Sequence, residues 1–169
     1  AEELAEQAKL MQSYGADGIL LMDSAGAYLP TDVVNKVGKL VSLLKIDVGF
    51  HAHNNLGLAI ANALAAVSAG AKIVDGTTRG LGAGAGNCQL EVFAAVCEKL
   101  GIKTGVNLFK LMDLSEFVKA QVMKSPQEIS SVSLASGLAG VFSGFAPHAS
   151  RAAKKYNVDV RNILYELGK

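Results

Sequence analysis

The sequence contains little charge and few aromatic side chains, and these shortages exclude two classes of partner. Only 18% of its 169 residues are charged, the formal net charge is +1, and aromatic residues make up 6%. No stretch gathers Lys or Arg into a stripe with interleaved aromatics, which is the pattern of nucleic-acid-binding surfaces. No apolar run reaches the roughly twenty residues that a membrane span needs. We therefore expect a protein that binds neither nucleic acid nor membranes.

Cysteine is also scarce. Cys88 and Cys97 are the only two, and they do not form a Cys-x-x-Cys motif. We predict that both lie in one helix, where side chains at this spacing point in directions too different for a disulfide. Reduced core thiols, and an N-terminus of acidic helix formers instead of a signal peptide, predict a soluble cytoplasmic protein.

Half of the residues are hydrophobic, mostly Ala, Val, Leu and Ile, which is typical of helices packed around a buried parallel sheet. Three short apolar segments each end in polar residues and alternate with helical patterns, at about thirty residues per unit. This is the pattern of βαβ units. The predicted strands are 18–23, 47–53 and 72–78, and the predicted helices around them are 1–14, 31–44, 56–69 and 89–100.

The pattern changes after residue 101. Residues 107–124, 147–155 and 160–167 are predicted helices, whereas residues 130–145 are rich in small residues, which is compatible with closely packed helices or with tight turns. We place a domain boundary near residues 102–104, which divides the chain into 1–103 and 104–169.

A His-x-His motif at the end of the second predicted strand is the strongest indication of chemistry. Alternate side chains of a strand share a face, so His51 and His53 are expected side by side where the strand ends. Two neutral imidazoles on one face supply half of a metal site, each giving one nitrogen to the cation and the other N–H to an acceptor. The alternative is a pair of polar residues that only caps the strand. We favour the metal site.

A glycine-rich loop, residues 80–87, follows the third predicted strand. Such a loop lets backbone approach a ligand and can present N–H groups to an anion, although the glycines equally allow the loop simply to fold over the rim of a barrel. Its spacing does not match the dinucleotide-binding pattern. Asn87 at its end is either the N-cap of the next helix or a ligand near the metal. His148, the third histidine, is interpreted as a surface residue at a helix start.

Three motifs together resemble one family. They are His-Ala-His-Asn-Asn-Leu at residues 51–56, Val-Asp-Gly-Thr at residues 74–77, and Gly-Leu-Gly-Ala-Gly-Ala-Gly-Asn at residues 80–87. They look like the 4-hydroxy-2-oxovalerate aldolases, metal-dependent pyruvate aldolases within a wider HMG-CoA lyase-like group of TIM-barrel lyases and Claisen-type synthases. Residues 138–168 are similar to the helical communication domain of the same aldolases, so the resemblance covers essentially the whole chain.

The resemblance implies an α/β fold: the C-terminal part of a TIM (β/α)8 barrel, about three βα units, followed by an all-helical communication domain that is truncated at its C-terminus. It also implies that His51 and His53 bind a divalent cation, with Mn²⁺ expected and Mg²⁺, Co²⁺ or Zn²⁺ as alternatives. Asn87 would lie at the metal or in the pocket. Ser24 and Phe142 would line the substrate pocket, and Phe142 stands where the family commonly has Tyr.

The reaction implied by the resemblance is the retro-aldol cleavage of 4-hydroxy-2-oxo acids, such as 4-hydroxy-2-oxovalerate, to pyruvate and acetaldehyde, in the catabolism of aromatic hydrocarbons. The aldehyde would be channelled to a partner, an acylating acetaldehyde dehydrogenase, and an oligomer is expected. The family places a ligating Asp and a catalytic Arg and His on the first barrel strand, which this sequence does not contain. We therefore expect an N-terminal barrel half upstream, and an isolated 169-residue chain that lacks catalytic residues and is inactive.

Two alternatives to this function stay open. One is a Claisen-type enzyme that resembles 2-isopropylmalate or homocitrate synthase, since these also have His-x-His and a Gly-Asn ending of the glycine-rich loop. The other is a non-catalytic module that only docks to the dehydrogenase.

Overall fold

A three-stranded parallel sheet organises the first part of the molecule. The structure is a computed structural model that describes residues 2–169 of the chain. The strands are ordered as in the sequence, and the register pairs His51 with Met22 on one side and with Asp75 on the other. The predicted parallel βαβ arrangement is confirmed. The strands are β1 (Gly18–Asp23), β2 (Asp47–Ala52) and β3 (Ile73–Asp75).

Helices flank the sheet and, with the loops between them, form the part of the chain after it. Those of the first part lie between the strands and after β3, close to their predicted positions, and helices follow them to the end of the chain, as predicted. None of the helices within residues 2–169 is both long enough and apolar enough to cross a bilayer. The helices are α1 (Glu2–Ser13), α2 (Pro30–Leu43), α3 (Ala59–Ser68), α4 (Leu90–Lys99), α5 (Leu108–Gln121), α6 (Ser131–Ala139), α7 (Ala146–Tyr156) and α8 (Val160–Leu167).

The main hydrophobic core lies around β2. Phe50 is fully buried, and α2 covers it with residues at helical spacing, Val33, Val37 and Leu40. The alanine-rich α3 brings Ala63 and other small side chains against the same core, which allows the helix to approach the sheet closely. Burial of this apolar surface fixes the central strand, and β2 carries the first residue of the His-x-His motif at its end.

A second, smaller core lies in the helices that follow. It consists of Ala135, Val141, Ala149 and Leu164, contributed by α6, α7, α8 and the segment between α6 and α7. Between the two cores, α5 lies against α4 and a short 3₁₀ turn at Thr78–Gly80. The predicted boundary at residues 102–104 stays a prediction.

Both cysteines are free and buried, but they do not share a helix. Cys88 lies before α4, and its backbone is hydrogen-bonded to the ends of the strands. Its N–H donates to the Ala52 carbonyl at 2.9 Å, and its carbonyl accepts from the Thr77 N–H at 3.0 Å. The prediction of a common helix was therefore wrong. Burial raises the pKa of the Cys88 thiol to about 12.

Candidate functional site

Two imidazole rings lie together at the C-terminal end of β2. The ring centroids of His51 and His53 are 5.0 Å apart, with an angle of 67° between the ring planes. His53 lies one residue beyond the strand, and its backbone forms an isolated bridge with Asn87 of the glycine-rich loop. The structure thus brings these three predicted site residues together.

Asp75 holds the ring of His51. Its Oδ1 lies 2.5 Å from His51 Nδ1, because the parallel register places the two residues opposite each other. A carboxylate only accepts hydrogen bonds, so the neutral ring carries its proton on Nδ1 and keeps the lone pair of Nε2 free. This is the arrangement by which an outer carboxylate orients a metal-binding histidine.

His53 is buried, and its Nδ1 has no hydrogen-bond partner among residues 2–169. Burial lowers the pKa of His53, and the neighbouring His51 lowers it further. Both effects favour the neutral ring, which is the form that can bind a cation.

Asn87 is not the N-cap of α4, which excludes one of the two alternatives considered for it. The N-cap is Gln89, since the Asn87 N–H donates to the Gly80 carbonyl at 2.9 Å and the chain enters the helix only two residues later. Its side-chain Nδ2 donates to the Leu81 carbonyl at 3.2 Å, while its Oδ1 is buried and has no partner among the described residues. An unpaired buried oxygen costs free energy unless a ligand or water satisfies it.

A buried carboxylate lies on the neighbouring strand but is already engaged. Asp23 accepts hydrogen bonds from the backbone N–H groups of Ala27 and Tyr28, at 2.9 and 3.1 Å. Burial raises the pKa of Asp23, and these two hydrogen bonds partly oppose that increase.

The donor set fits a divalent cation incompletely. Two imidazoles and the unpaired Asn87 oxygen are donors that such a cation accepts. Within residues 2–169, however, the structure contains no group of three or more His, Cys, Asp or Glu side chains able to hold a metal ion. Further ligands would therefore have to come from groups outside those described.

Asn55 is a site residue that the sequence did not identify. Its side chain is fully buried and forms three hydrogen bonds: Nδ2 donates to the Ala25 carbonyl at 2.9 Å and to Ser143 Oγ at 2.6 Å, and Oδ1 accepts from the Ala85 N–H at 2.9 Å. The loops after all three strands and the turn after α6 thus meet at one amide. The available signal was a second Asn directly after the His-x-His motif, which by itself also suits an ordinary loop.

Two of the remaining predicted residues, Ser24 and Phe142, are sequence neighbours of Ala25 and Ser143, which contact Asn55. Ser24 is half-buried in the turn after β1, and Phe142 is 46% exposed with its ring 6.0 Å from that of Phe145. Their assignment to a substrate pocket stays a prediction. His148 is exposed near the start of α7, as predicted, with its Nδ1 2.9 Å from an Arg151 nitrogen.

Two curated relatives of this chain have the same name. The chain is 56% identical over 168 residues to the 4-hydroxy-2-oxovalerate aldolase of Geobacillus thermodenitrificans, covering 99% of this chain and 49% of the relative. The aldolase of the same name from Carboxydothermus hydrogenoformans is also 56% identical, with 99% of this chain and 50% of the relative covered. The chain thus spans about half the length of the curated relatives that it matches. The resemblance seen in the three motifs is confirmed.

Solved structures agree on the fold. Bacillus subtilis HMG-CoA lyase superposes with a TM-score of 0.69 at 27% identity, covering 75% of this chain and 44% of that one. The carboxyl transferase domain of Rhizobium etli pyruvate carboxylase, solved with pyruvate, gives a TM-score of 0.79 at 20% identity, covering 99% of this chain and 29% of that one. The second likeness concerns the fold alone.

Two family models match successive stretches of the sequence. Residues 127–169 match the DmpG-like communication domain, which confirms the predicted class of the C-terminal helices. Residues 1–118, well over half of the chain, match the HMGL-like family. The chain therefore belongs to the HMGL-like family and carries a DmpG-like communication domain.

Proposed function

We propose that the protein containing this chain is a metal-dependent lyase that cleaves 4-hydroxy-2-oxo acids, such as 4-hydroxy-2-oxovalerate, to pyruvate and an aldehyde such as acetaldehyde. One observation carries the proposal: two adjacent imidazoles, one of them oriented by a carboxylate, lie at the C-terminal edge of the sheet. In barrels of this type the chemistry is located at that edge. The similarity to aldolases supports the choice of substrate.

In this proposal the residues of the chain bind and orient. Asp75 holds His51 so that Nε2 points its lone pair away from the carboxylate, and burial lowers the pKa of His53, which favours its neutral form. The Asn87 oxygen is the third donor. A bound divalent cation, Mn²⁺ as first choice and Mg²⁺, Co²⁺ or Zn²⁺ as alternatives, would supply Lewis acidity toward the 2-oxo group of the substrate.

Other groups must complete the reaction. The base that accepts the proton of the 4-hydroxyl group, and the remaining cation ligands, are proposed to belong to an N-terminal barrel half, and the isolated 169-residue chain is proposed to be inactive. Ser24 and Phe142 are proposed to line the pocket for the substrate. The match to a communication domain supports docking of an acylating acetaldehyde dehydrogenase that receives the aldehyde, in an oligomeric cytoplasmic assembly.

The test compares two histidine variants of the natural protein, His51→Ala and His148→Ala. The first removes a proposed ligand, and the second removes an exposed histidine far along the chain in α7. We expect His51→Ala to lower Mn²⁺ affinity by more than the 10–100-fold typical of outer contacts and to abolish pyruvate release, with His148→Ala unchanged.

Three results would contradict parts of the proposal. Equal pyruvate release by both variants would contradict the assignment of His51 as a metal ligand. Release of thiol from acetyl-coenzyme A in the presence of a 2-oxo acid would favour the Claisen-type alternative. Pyruvate release by the isolated chain, above that of its own His51→Ala variant, would show that the chain is active alone.

A further inference from the structure

The Asn55 side chain is the place where the helical segment contacts the candidate site. Asn55 differs from Asn62, another fully buried asparagine, in the number of its hydrogen bonds. Asn62 donates one hydrogen bond to the Tyr28 carbonyl, and its Oδ1 has no partner among residues 2–169. The three hydrogen bonds of Asn55, in contrast, use both ends of the amide. Such a fully satisfied buried group restricts the segments that it joins.

Ser143 supplies the contact from the helical side. It is buried, directly follows Phe142 in the chain, and its Oγ lies 2.6 Å from Asn55 Nδ2. The two residues are separated by 88 positions in the sequence, so this hydrogen bond joins distant parts of the chain. Close packing supports the same contact, because a methyl group at Gly137 of α6 would lie only 3.0 Å from the Leu56 side chain.

The glycine-rich loop packs against this hydrogen-bonded pair of side chains. A Cβ atom at Gly84 would lie 2.5 Å from both Asn55 Oδ1 and Ser143 Oγ, and the φ angle of Gly84 is +63°. Only glycine tolerates both the space and the backbone conformation. Asn55 and Ser143 therefore both pack directly against the loop at Gly84.

The same loop sets the position of the candidate ligand Asn87. Ala85 donates its N–H to Asn55, the Gly86 carbonyl accepts from the Asn54 N–H at 2.8 Å, and Asn87 bridges to His53. Hydrogen bonds thus run from Ser143 through Asn55 to Ala85, two residues before Asn87 in the same loop.

From this geometry we propose that Ser143 is a positioning residue for the His51 and His53 site: its hydroxyl, acting through Asn55, fixes the loop that carries Asn87. The communication domain is then structurally part of the cation site. The expected effect on cation binding rests on the proposed function, whereas the expected effect on the position of the loop does not.

The experiment uses Ser143→Ala in the natural protein, with Ser136→Ala as the matched control. Ser136 is also a fully buried serine of the helical segment, but its Oγ has no hydrogen-bond partner among the described residues. For Ser143→Ala we expect hydrogen exchange at the Ala85 amide to rise by about fivefold, the effect of one net hydrogen bond. We expect the Mn²⁺ dissociation constant to rise by about tenfold, as for other outer contacts. Ser136→Ala should change neither quantity.

A third variant keeps the test decisive if Ser143→Ala does not fold. Ser143→Cys retains a side chain of similar volume with a weaker acceptor, and it should give intermediate values of both quantities. Equal values for the Ser143 variants and Ser136→Ala would overturn the inference. If the unaltered protein binds no Mn²⁺, the proposed function fails, and exchange at Ala85 still decides whether Ser143 positions the loop.

Discussion

The two hydrophobic cores differ in how much apolar surface they bury. The sheet unit, residues 2–100, buries an extended cluster around Phe50 that draws on α1 to α4 and all three strands. The helical unit, residues 131–167, buries a cluster of four residues, namely Leu164 and three residues that are Ala or Val. Apolar packing can therefore fix the backbone of the sheet unit, but it contributes far less in the helical unit.

Specific contacts position the helical unit against the sheet unit, where the small helical core contributes little apolar packing. The Asn55 to Ser143 hydrogen bond and the approach of Gly137 to Leu56 join them at the rim of the sheet. Hydrogen bonds are directional, whereas apolar packing is not, so these contacts define one relative position. The sheet unit thus carries the candidate site, and the helical unit aligns it through these contacts.

The largest expected effect tests the core of the sheet unit. We expect Phe50→Ala to lower the free energy of unfolding by about 4 kcal/mol, because it removes a fully buried ring and leaves a cavity beneath β2. Urea unfolding followed by circular dichroism measures this change. The control is Phe109→Ala in α5, where the side chain is 78% exposed and the loss should stay within about 0.5 kcal/mol. Equal losses would show that Phe50 is not the centre of the core.

A smaller and local effect is expected in the helical unit. Leu164→Ala should cost about 3 kcal/mol, because Leu164 is the one large side chain of that core, and the damage should be confined to α6, α7 and α8. Hydrogen exchange resolved along the chain measures both points. Leu167→Ala is the control, since Leu167 is 60% exposed. If β2 amides lose protection together with those of α8, the two units unfold as one and the comparison fails.

The smallest expected effect is an acid-sensitive contact in the helical unit. Asp159 is the N-cap of α8, and its hydrogen bonds with the Arg161 side chain and backbone lower the pKa of Asp159 to about 2. Because the pKa is lower in the folded state, the stabilisation is present above the unfolded value near 3.8 and disappears as the pH falls through about 2. The helicity of α8 should decrease over that interval, and less steeply in Asp159→Asn. A site-resolved NMR titration measures this, and identical curves for the two proteins would contradict the assigned cap.

Local patterns in the sequence were sufficient for the parallel sheet and for the pairing of His51 with His53, because strand period and helix period are properties of neighbouring residues. The role of Asp75 depended on strand register, which becomes known only once β2 and β3 are aligned. The roles of Asn55 and Ser143 depend on a contact across 88 positions, which no local pattern contains. The sequence left Asn87 open between an N-cap and a ligand because an Asn shortly before a helical pattern is typical of N-caps, whereas the loop in fact delays the helix by two residues.

Cys88 gives the molecule an internal reporter of opening. Thiol reagents attack the thiolate, and a thiol whose pKa is about 12 beneath the strand ends offers almost none of it at neutral pH. Alkylation of this sulfur would therefore require separation of the strand ends. Its rate would measure how often the sheet unit opens under native conditions.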